Sequence, residues 1–223
     1  MDISKIHNPF IPFHLSLVLK DKRGCKSLCY LLAPFKEPKS IVRWGSKLNV
    51  YFSRDDWKMF YLIPFNCTMD TKLRWFQYRI LNRILTTNSF MCKIGQRIDD
   101  ICTFCKKEAE TIEHLFVECK VVKNIWSKLQ NWIRIELGIP VVLSKTHILF
   151  GIDLKKCNSA INLIILLTKF YIYRIRCQGS TLSFLSLQRE IESYYKLEKY
   201  ILLKTFNLSN FKSKWQVWKG LFD

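Results

Sequence analysis

Glycine and proline are scarce in this sequence, 7 and 6 residues of 223, and acidic side chains are half as numerous as basic ones, 18 against 36. The first shortage, with 49% hydrophobic and 14% aromatic residues, excludes collagen-like repetition, low complexity and wholesale disorder. The second leaves a formal charge of +18 and a pI near 9.6, which makes a polyanion the expected partner. The excess is not confined to a tail. Residues 1–50 carry 9 basic against 3 acidic side chains and residues 151–200 carry 8 against 4, the pattern of a folded basic surface. The plainer alternative is that the high pI serves solubility alone.

No apolar run reaches the roughly 20 residues needed to span a bilayer. The longest, Ile161 to Tyr173, contains Asn162, Thr168 and Lys169 and stops at Arg174, so it reads as a buried helix ending at Gln178-Gly179. The stretch Phe10 to Leu19 is broken by Pro12 and His14 and lacks a small-residue cleavage site after it, which argues against a signal peptide. H-E-x-x-H, G-x-S-x-G and phosphate-binding glycine loops are also missing. There is no internal repeat, no linker longer than about ten residues, and no basic run that reads as a localisation signal.

Nine cysteines, an odd number, are scattered through a chain too long to need disulfide staples. They indicate a reducing, intracellular compartment, nucleus or cytoplasm, in which clustered cysteines point to metal. The sequons at Asn66 and Asn207 are then accidental.

Helical periodicity dominates and strand-like alternation is scarce, so the expected fold is all-α, an irregular multi-helix array around a small Cys3His knuckle. Residues 1–23 are hard to read. Helices are expected over 24–33, over 39–49 after Pro38, and from Arg54, capped by Ser53 with Asp56 and stopped by Pro64. A longer helix over 70–85 should bury Leu73, Phe76, Ile80 and Ile84. Another over 120–137 should turn Val122, Ile125, Trp126, Leu129 and Trp132 inward before Gly138 and Pro140 end it. The last third reads as helices over 158–177, 184–205 and 209–219.

The sharpest signal is Cys102-Thr-Phe-Cys105, then His114, then Cys119, a C-x2-C-x8-H-x4-C spacing. Three thiolates and one imidazole complete a tetrahedral Zn²⁺ shell with no position left for water, so the site is expected to be structural rather than hydrolytic. Residues 111–116 should form a short helix presenting His114. Cys119 lies five residues on, about 140° round an ideal helix, so that helix must end or distort before it. His7, His14 and His147 lack cysteine partners and are ordinary, and Cys25 and Cys29 read as core.

A set of motifs carries a resemblance. Asp70-Thr-Lys-Leu-Arg-Trp-Phe-Gln-Tyr-Arg-Ile80, Arg83-Ile-Leu-Thr-Thr-Asn-Ser-Phe90, Lys93-Ile-Gly95, the cysteine set, Ile112-Glu-His-Leu-Phe116 and Trp126 resemble the zinc-binding region of LINE-type (non-LTR) retrotransposon reverse transcriptases. Leu149-Phe-Gly-Ile152, Asn162 to Phe170 and Trp215-Gln-Val-Trp218 extend the likeness. The resemblance implies a region lying after the polymerase domain, with Zn²⁺ on Cys102, Cys105, His114 and Cys119 and a role in gripping RNA template or target DNA. It divides the chain into an N-terminal helical segment over 1–50, a zinc-binding domain over 51–140 with its knuckle at 102–119, and a C-terminal helical region over 141–223. The polymerase of that family needs an aromatic-x-Asp-Asp turn. Asp55-Asp56 and Asp99-Asp100 lack the aromatic residue, so no polymerase activity is expected.

Within 101–119, Lys106 and Lys107 face Glu108, Glu110, Glu113 and Glu118, so the knuckle is a poor magnet for phosphate. Neighbouring helices are the better candidates: Lys72, Trp75, Arg79 and Arg83 on one face, Lys120, Lys123 and Arg134 on the next, and Lys212, Lys214 and Lys219 near Trp215 and Trp218. Basic residues among aromatics favour sequence-tolerant backbone binding and stacking on RNA or DNA, and no membrane partner. Each set also reads as a solvated charged face. Two other functional readings stay open: a protein-interaction or assembly module that docks on a polymerase domain of a parent protein, and a decayed retroelement fragment without activity.

Overall fold

The computed structural model describes residues 38–138, 140–153, 159–205 and 208–218. The helix expected over 24–33 lies outside them, as do His7, His14, Cys25, Cys29 and Lys219. The chain divides into two compact units, Met1–Arg43 and Trp44–Asp223. In the first, the described residues begin at Pro38 and open α1 (Lys39–Leu48).

In the second unit α2 (Arg54–Cys67), α3 (Thr71–Leu81), α4 (Asn88–Lys93), α5 (Lys120–Leu137), α6 (Lys145–Phe150), α7 (Ser159–Gln178), α8 (Phe184–Lys204) and α9 (Leu208–Trp215) follow in order, and α9 runs into a tight 3₁₀ turn, Gln216–Trp218. No strand occurs among the described residues, where an isolated antiparallel bridge joins Ile101 to Ala109. The fold is all-α, as its periodicity predicts.

The centre is α7. Its apolar residues recur on all sides, so the helix must be covered all round. Every residue from Ala160 to Lys169 is buried, and α2, α3, α8 and α9 pack around it. It closes on Gly179 at φ 66°, whose N–H reaches Arg176 O at 3.2 Å while Ser180 N–H reaches Ile175 O at 3.2 Å, a left-handed cap that glycine adopts without strain. No helix among the described residues is long and apolar enough to cross a membrane.

Helix α2 starts as expected, with Ser53 Oγ accepting from Asp56 N–H at 3.1 Å and Asp56 Oδ2 accepting from Ser53 N–H at 2.8 Å. Pro64 does not stop it. The ring is buried inside the helix, which continues to Cys67 and hands Pro64 O to Thr68 N–H at 3.1 Å. Packing of Ile63, Pro64 and Cys67 in the core holds the last turn although Pro64 donates no helix bond.

Helix α3 ends four residues earlier than its periodicity suggests. Arg83 takes φ 57°, with Arg83 N–H on Ile80 O (3.0 Å) and Ile84 N–H on Arg79 O (2.9 Å), the same left-handed cap built on a residue with a side chain. Leu73, Phe76 and Ile80 are buried, but Ile84 falls outside the helix and is 42% exposed, which corrects its placement on the inward face. In α5, Val122, Ile125, Trp126 and Leu129 are buried as expected, with Ile133 beside them, whereas Trp132 is half-buried.

Gly151 ends α6 at φ 98°, where a Cβ would come within 3.0 Å of Ile63 and Asn162. The side chain of Asn162 then clamps Ile152, accepting from its N–H at 2.8 Å and donating to its carbonyl at 2.9 Å.

Lys169 is the exception in α7. Its ammonium is fully buried and donates to Gln77 Oε1 (2.5 Å) and Leu149 O (3.0 Å), and burial drives its pKa down to about 7. Below pH 7 the group is protonated folded and unfolded, and the cost of burying the charge is present in full. Above it the folded chain sheds a proton that the unfolded chain keeps to about pH 10.5, so stability rises with pH across that window. Urea unfolding of the protein and of Lys169→Met at pH 6 and pH 9 should therefore show the native protein gaining stability relative to the variant at the higher pH. An unchanged difference would mean that Lys169 keeps its proton throughout.

Candidate metal centre

Two short segments supply the ligands. The first is a tight loop closed by Cys102 N–H on Glu108 O (2.8 Å) and Lys106 N–H on Cys102 O (3.0 Å), with Lys106 left-handed at φ 55°. This turn brings Cys102 and Cys105 to the same side. The second begins as a helical turn after Thr111 and widens into a π turn over His114–Glu118, in which Cys119 N–H reaches His114 O at 2.9 Å. The distortion demanded by the five-residue spacing is thus an i to i+5 closure, which draws Cys119 back beside His114. Trp126 of α5 anchors the π turn by donating its indole N–H to Phe116 O at 2.7 Å.

One ligand atom from each of Cys102, Cys105, His114 and Cys119 lies within 4.8 Å of all the others. Cys102 Sγ stands 3.9 Å from Cys119 Sγ, and Cys105 Sγ stands 3.3 Å from His114 Nε2. Thiolates at 2.3 Å from a tetrahedral ion are about 3.8 Å apart, close to the Cys102–Cys119 separation, and the four atoms are near enough together to share one ion. Cys102, His114 and Cys119 are buried and Cys105 is half-buried. A shell completed by four protein ligands leaves no position for a reacting water.

The thiols are electrostatically unequal. Cys119 is drawn down to about 7, first by the hydrogen bond from Cys102 and then, against burial, by the N–H groups of Val122 and Val121 at the start of α5. Cys102 is pushed up by the same thiol contact and by burial. Beyond the Cys102 hydrogen bond, the N-terminus of α5 aims its donors at the Cys119 sulfur, which favours the thiolate form there.

A buried polar hub fastens the loop to the helices. Glu110, fully buried, accepts from Thr103 N–H (2.7 Å), from Asn88 N–H at the start of α4 (3.0 Å) and from Arg176 Nε of α7 (2.7 Å). Arg176 also donates to Thr86 O (2.8 Å) and Asn88 Oδ1 (2.7 Å). Glu113 is likewise internal and pairs with Arg83 at 2.5 Å. Two of the four acids that seemed to oppose phosphate at the knuckle are therefore paired inside the fold, leaving Lys106, Lys107, Glu108 and Glu118 at its surface.

The basic candidates separate. Lys72 and Trp75 are exposed on α3, but Arg79 is half-buried with its guanidinium over the Tyr173 ring at 5.7 Å. Arg83 lies beyond the helix, against Glu113 and 4.2 Å over the Trp44 ring, so the four do not form one face. Lys120 and Lys123 are exposed together on the first turn of α5, and exposed Arg134 donates to Asn131 at 2.6 Å. Lys212 is exposed, whereas Lys214 is turned inward onto both carboxylate oxygens of Glu198 at 2.7 and 2.9 Å, and Trp215 and Trp218 are core residues. Sequence reasoning passed over Glu110, Asn88 and Arg176 as a unit. Their separation by 22 to 88 residues leaves no local signal.

A cluster of three cysteines and one histidine on a helical scaffold fits a metal-binding module. Residues 47–126 match the family model described as zinc-binding in reverse transcriptase, a span that contains all four ligands.

Removing one side of the buried ion pair should be more damaging than removing both. Glu110→Gln leaves the Arg176 charge buried without its carboxylate and should cost about 3–5 kcal/mol in urea unfolding. The double variant Glu110→Gln, Arg176→Met should recover most of that loss, and simple additivity of the two single losses would show that the pair is not coupled.

Proposed function

We propose that the chain is a zinc-stabilised, non-catalytic nucleic-acid-binding module of the LINE (non-LTR) reverse-transcriptase type, holding RNA or DNA through backbone contacts. The observation that carries this reading is the closed cluster of Cys102, Cys105, His114 and Cys119 inside the span matched by the zinc-binding family of reverse transcriptases. A thiolate-rich tetrahedral set of this size favours Zn²⁺ over harder divalent ions. The ion's part is to brace the loop and the π turn. Phosphate contacts fall to exposed cations around that brace, with Lys72, Lys120 and Lys123 the foremost, on a chain of net charge +18. Arg79 and Arg83 support this surface from within, because their guanidiniums are engaged by Tyr173, Glu113 and Trp44.

Native mass spectrometry should find one zinc per chain, absent in Cys119→Ser together with part of the helicity and about 10 °C or more of Tm. A folded, soluble chain without zinc would sink the metal assignment. The triple variant Lys72→Gln, Lys120→Gln, Lys123→Gln should flatten the dependence of log affinity on log salt by about 2–3, equally for unrelated sequences. An unchanged slope would remove these lysines from the interface.

A further inference from the structure

Beside α3 lies an open cleft of about 350 Å³, lined by Pro64, Phe65, Arg74, Trp75 and Tyr78 among others, with no acidic residue in its lining. All seven tryptophans are among the described residues, and Trp75, 57% exposed, stands out from the other six, which are buried or half-buried. Its indole lies parallel to the Tyr78 ring, with centroids 5.1 Å apart and planes 12° apart, and Phe65 is 59% exposed beside them. Large aromatic faces left in water are costly unless something covers them. Residues three apart on a helix project to the same side, so α3 holds the Trp75–Tyr78 stack ready-made.

Arg74 supplies the polar element. Its Nε donates to Thr68 O at 2.7 Å and its Nη2 to Phe65 O at 3.5 Å, which fixes the guanidinium 4.8 Å over the Phe65 ring. Among the described residues no carboxylate pairs with it, and its hydrogen bonds there run from Nε and Nη2. The cation is thus positioned by backbone carbonyls, uncompensated, at the edge of an aromatic cleft. Lys72 is exposed one turn from Trp75.

We propose that this cleft receives an unstacked base of a single-stranded nucleic acid, with Trp75 as its stacking face and Arg74 and Lys72 meeting the adjoining phosphates. The proposal rests on the nucleic-acid reading above and narrows it to single strands. In a duplex the base faces are covered by their neighbours, and only an unpaired, splayed base can offer a face to an indole. The volume suits one planar ring system, lying near the bottom of the roughly 300–1,000 Å³ range of ligand pockets. Charge selects the occupant: an apolar protein segment would cover the rings but leave Arg74 and Lys72 without counter-charge, whereas a polynucleotide satisfies both.

The test uses the full zinc-loaded chain with twelve-residue oligo(dT), oligo(U) and a twelve-base-pair duplex, read by fluorophore anisotropy and by quenching of the solvent-exposed tryptophan emission. Single strands should quench that emission. Trp75→Ala should weaken them about tenfold or more while changing duplex affinity less than twofold, and Trp75→Tyr should restore most of the loss. The oligo(dT) and oligo(U) arms distinguish DNA from RNA as the source of the base. Equal losses on single strands and duplex, or no loss on either, would overturn the cleft as a base site while leaving salt-dependent binding at the lysines intact. Absence of binding to all three polymers would overturn the nucleic-acid reading itself. Concentration-dependent self-association abolished by Trp75→Ala would assign the cleft to a second copy of the chain instead.

Discussion

The carboxylate of Glu110 is the point on which the metal loop depends. It is fully buried, and its oxygens accept from the loop at Thr103, from the first turn of α4 at Asn88 and from Arg176 of the central helix α7. A carboxylate withdrawn from water survives as an anion only where its lone pairs are filled, and these donors fill them. Because they come from three separate stretches of chain, the loop cannot shift on α7 without stripping Glu110 of partners. The loop is therefore oriented by the protein from behind, with the sulfurs of Cys102 and Cys105 set against Cys119 and His114 in front.

The π turn at His114 shows how the same site reconciles spacing with geometry. A regular helix would leave His114 and Cys119 on different faces, and an i to i+5 hydrogen bond brings them to one point. Such a turn is less favourable than an α turn. It persists because Leu115 and Phe116 are wholly buried, Trp126 holds the Phe116 carbonyl, and the N-terminus of α5 draws on the Cys119 thiolate. Packing, hydrogen bonding and helix electrostatics favour the ligand geometry together.

Local pattern made much of this readable. The helix class, the cap at Ser53 and the buried run in α7 follow from spacings of three and four residues within one element, and the four candidate ligands from a C-x2-C-x8-H-x4-C spacing over two adjacent segments. Two kinds of feature were not readable. One is termination by tertiary context: α2 runs through Pro64 because the ring packs in the core, and α3 stops at Arg83 because its left-handed conformation is fixed from outside by Glu113 and Trp44. The second is the long-range polar partner. Ending α2 at Pro64 also hid Phe65, and assigning Trp75 to a stripe with Arg79 and Arg83 hid its true neighbours, Arg74 and Tyr78.

Buried ion pairs join elements that are distant in sequence. Glu110 with Arg176, Glu113 with Arg83 and Glu198 with Lys214 are ion pairs in which every partner is at least four-fifths buried. Each takes one acid and one base away from the surface. Buried pairs contribute little net stability beside apolar packing of the same volume, but they fix register because breaking one strands a charge. These three acids thus orient the loop of Cys102 and Cys105, the end of α3 and the α8–α9 contact.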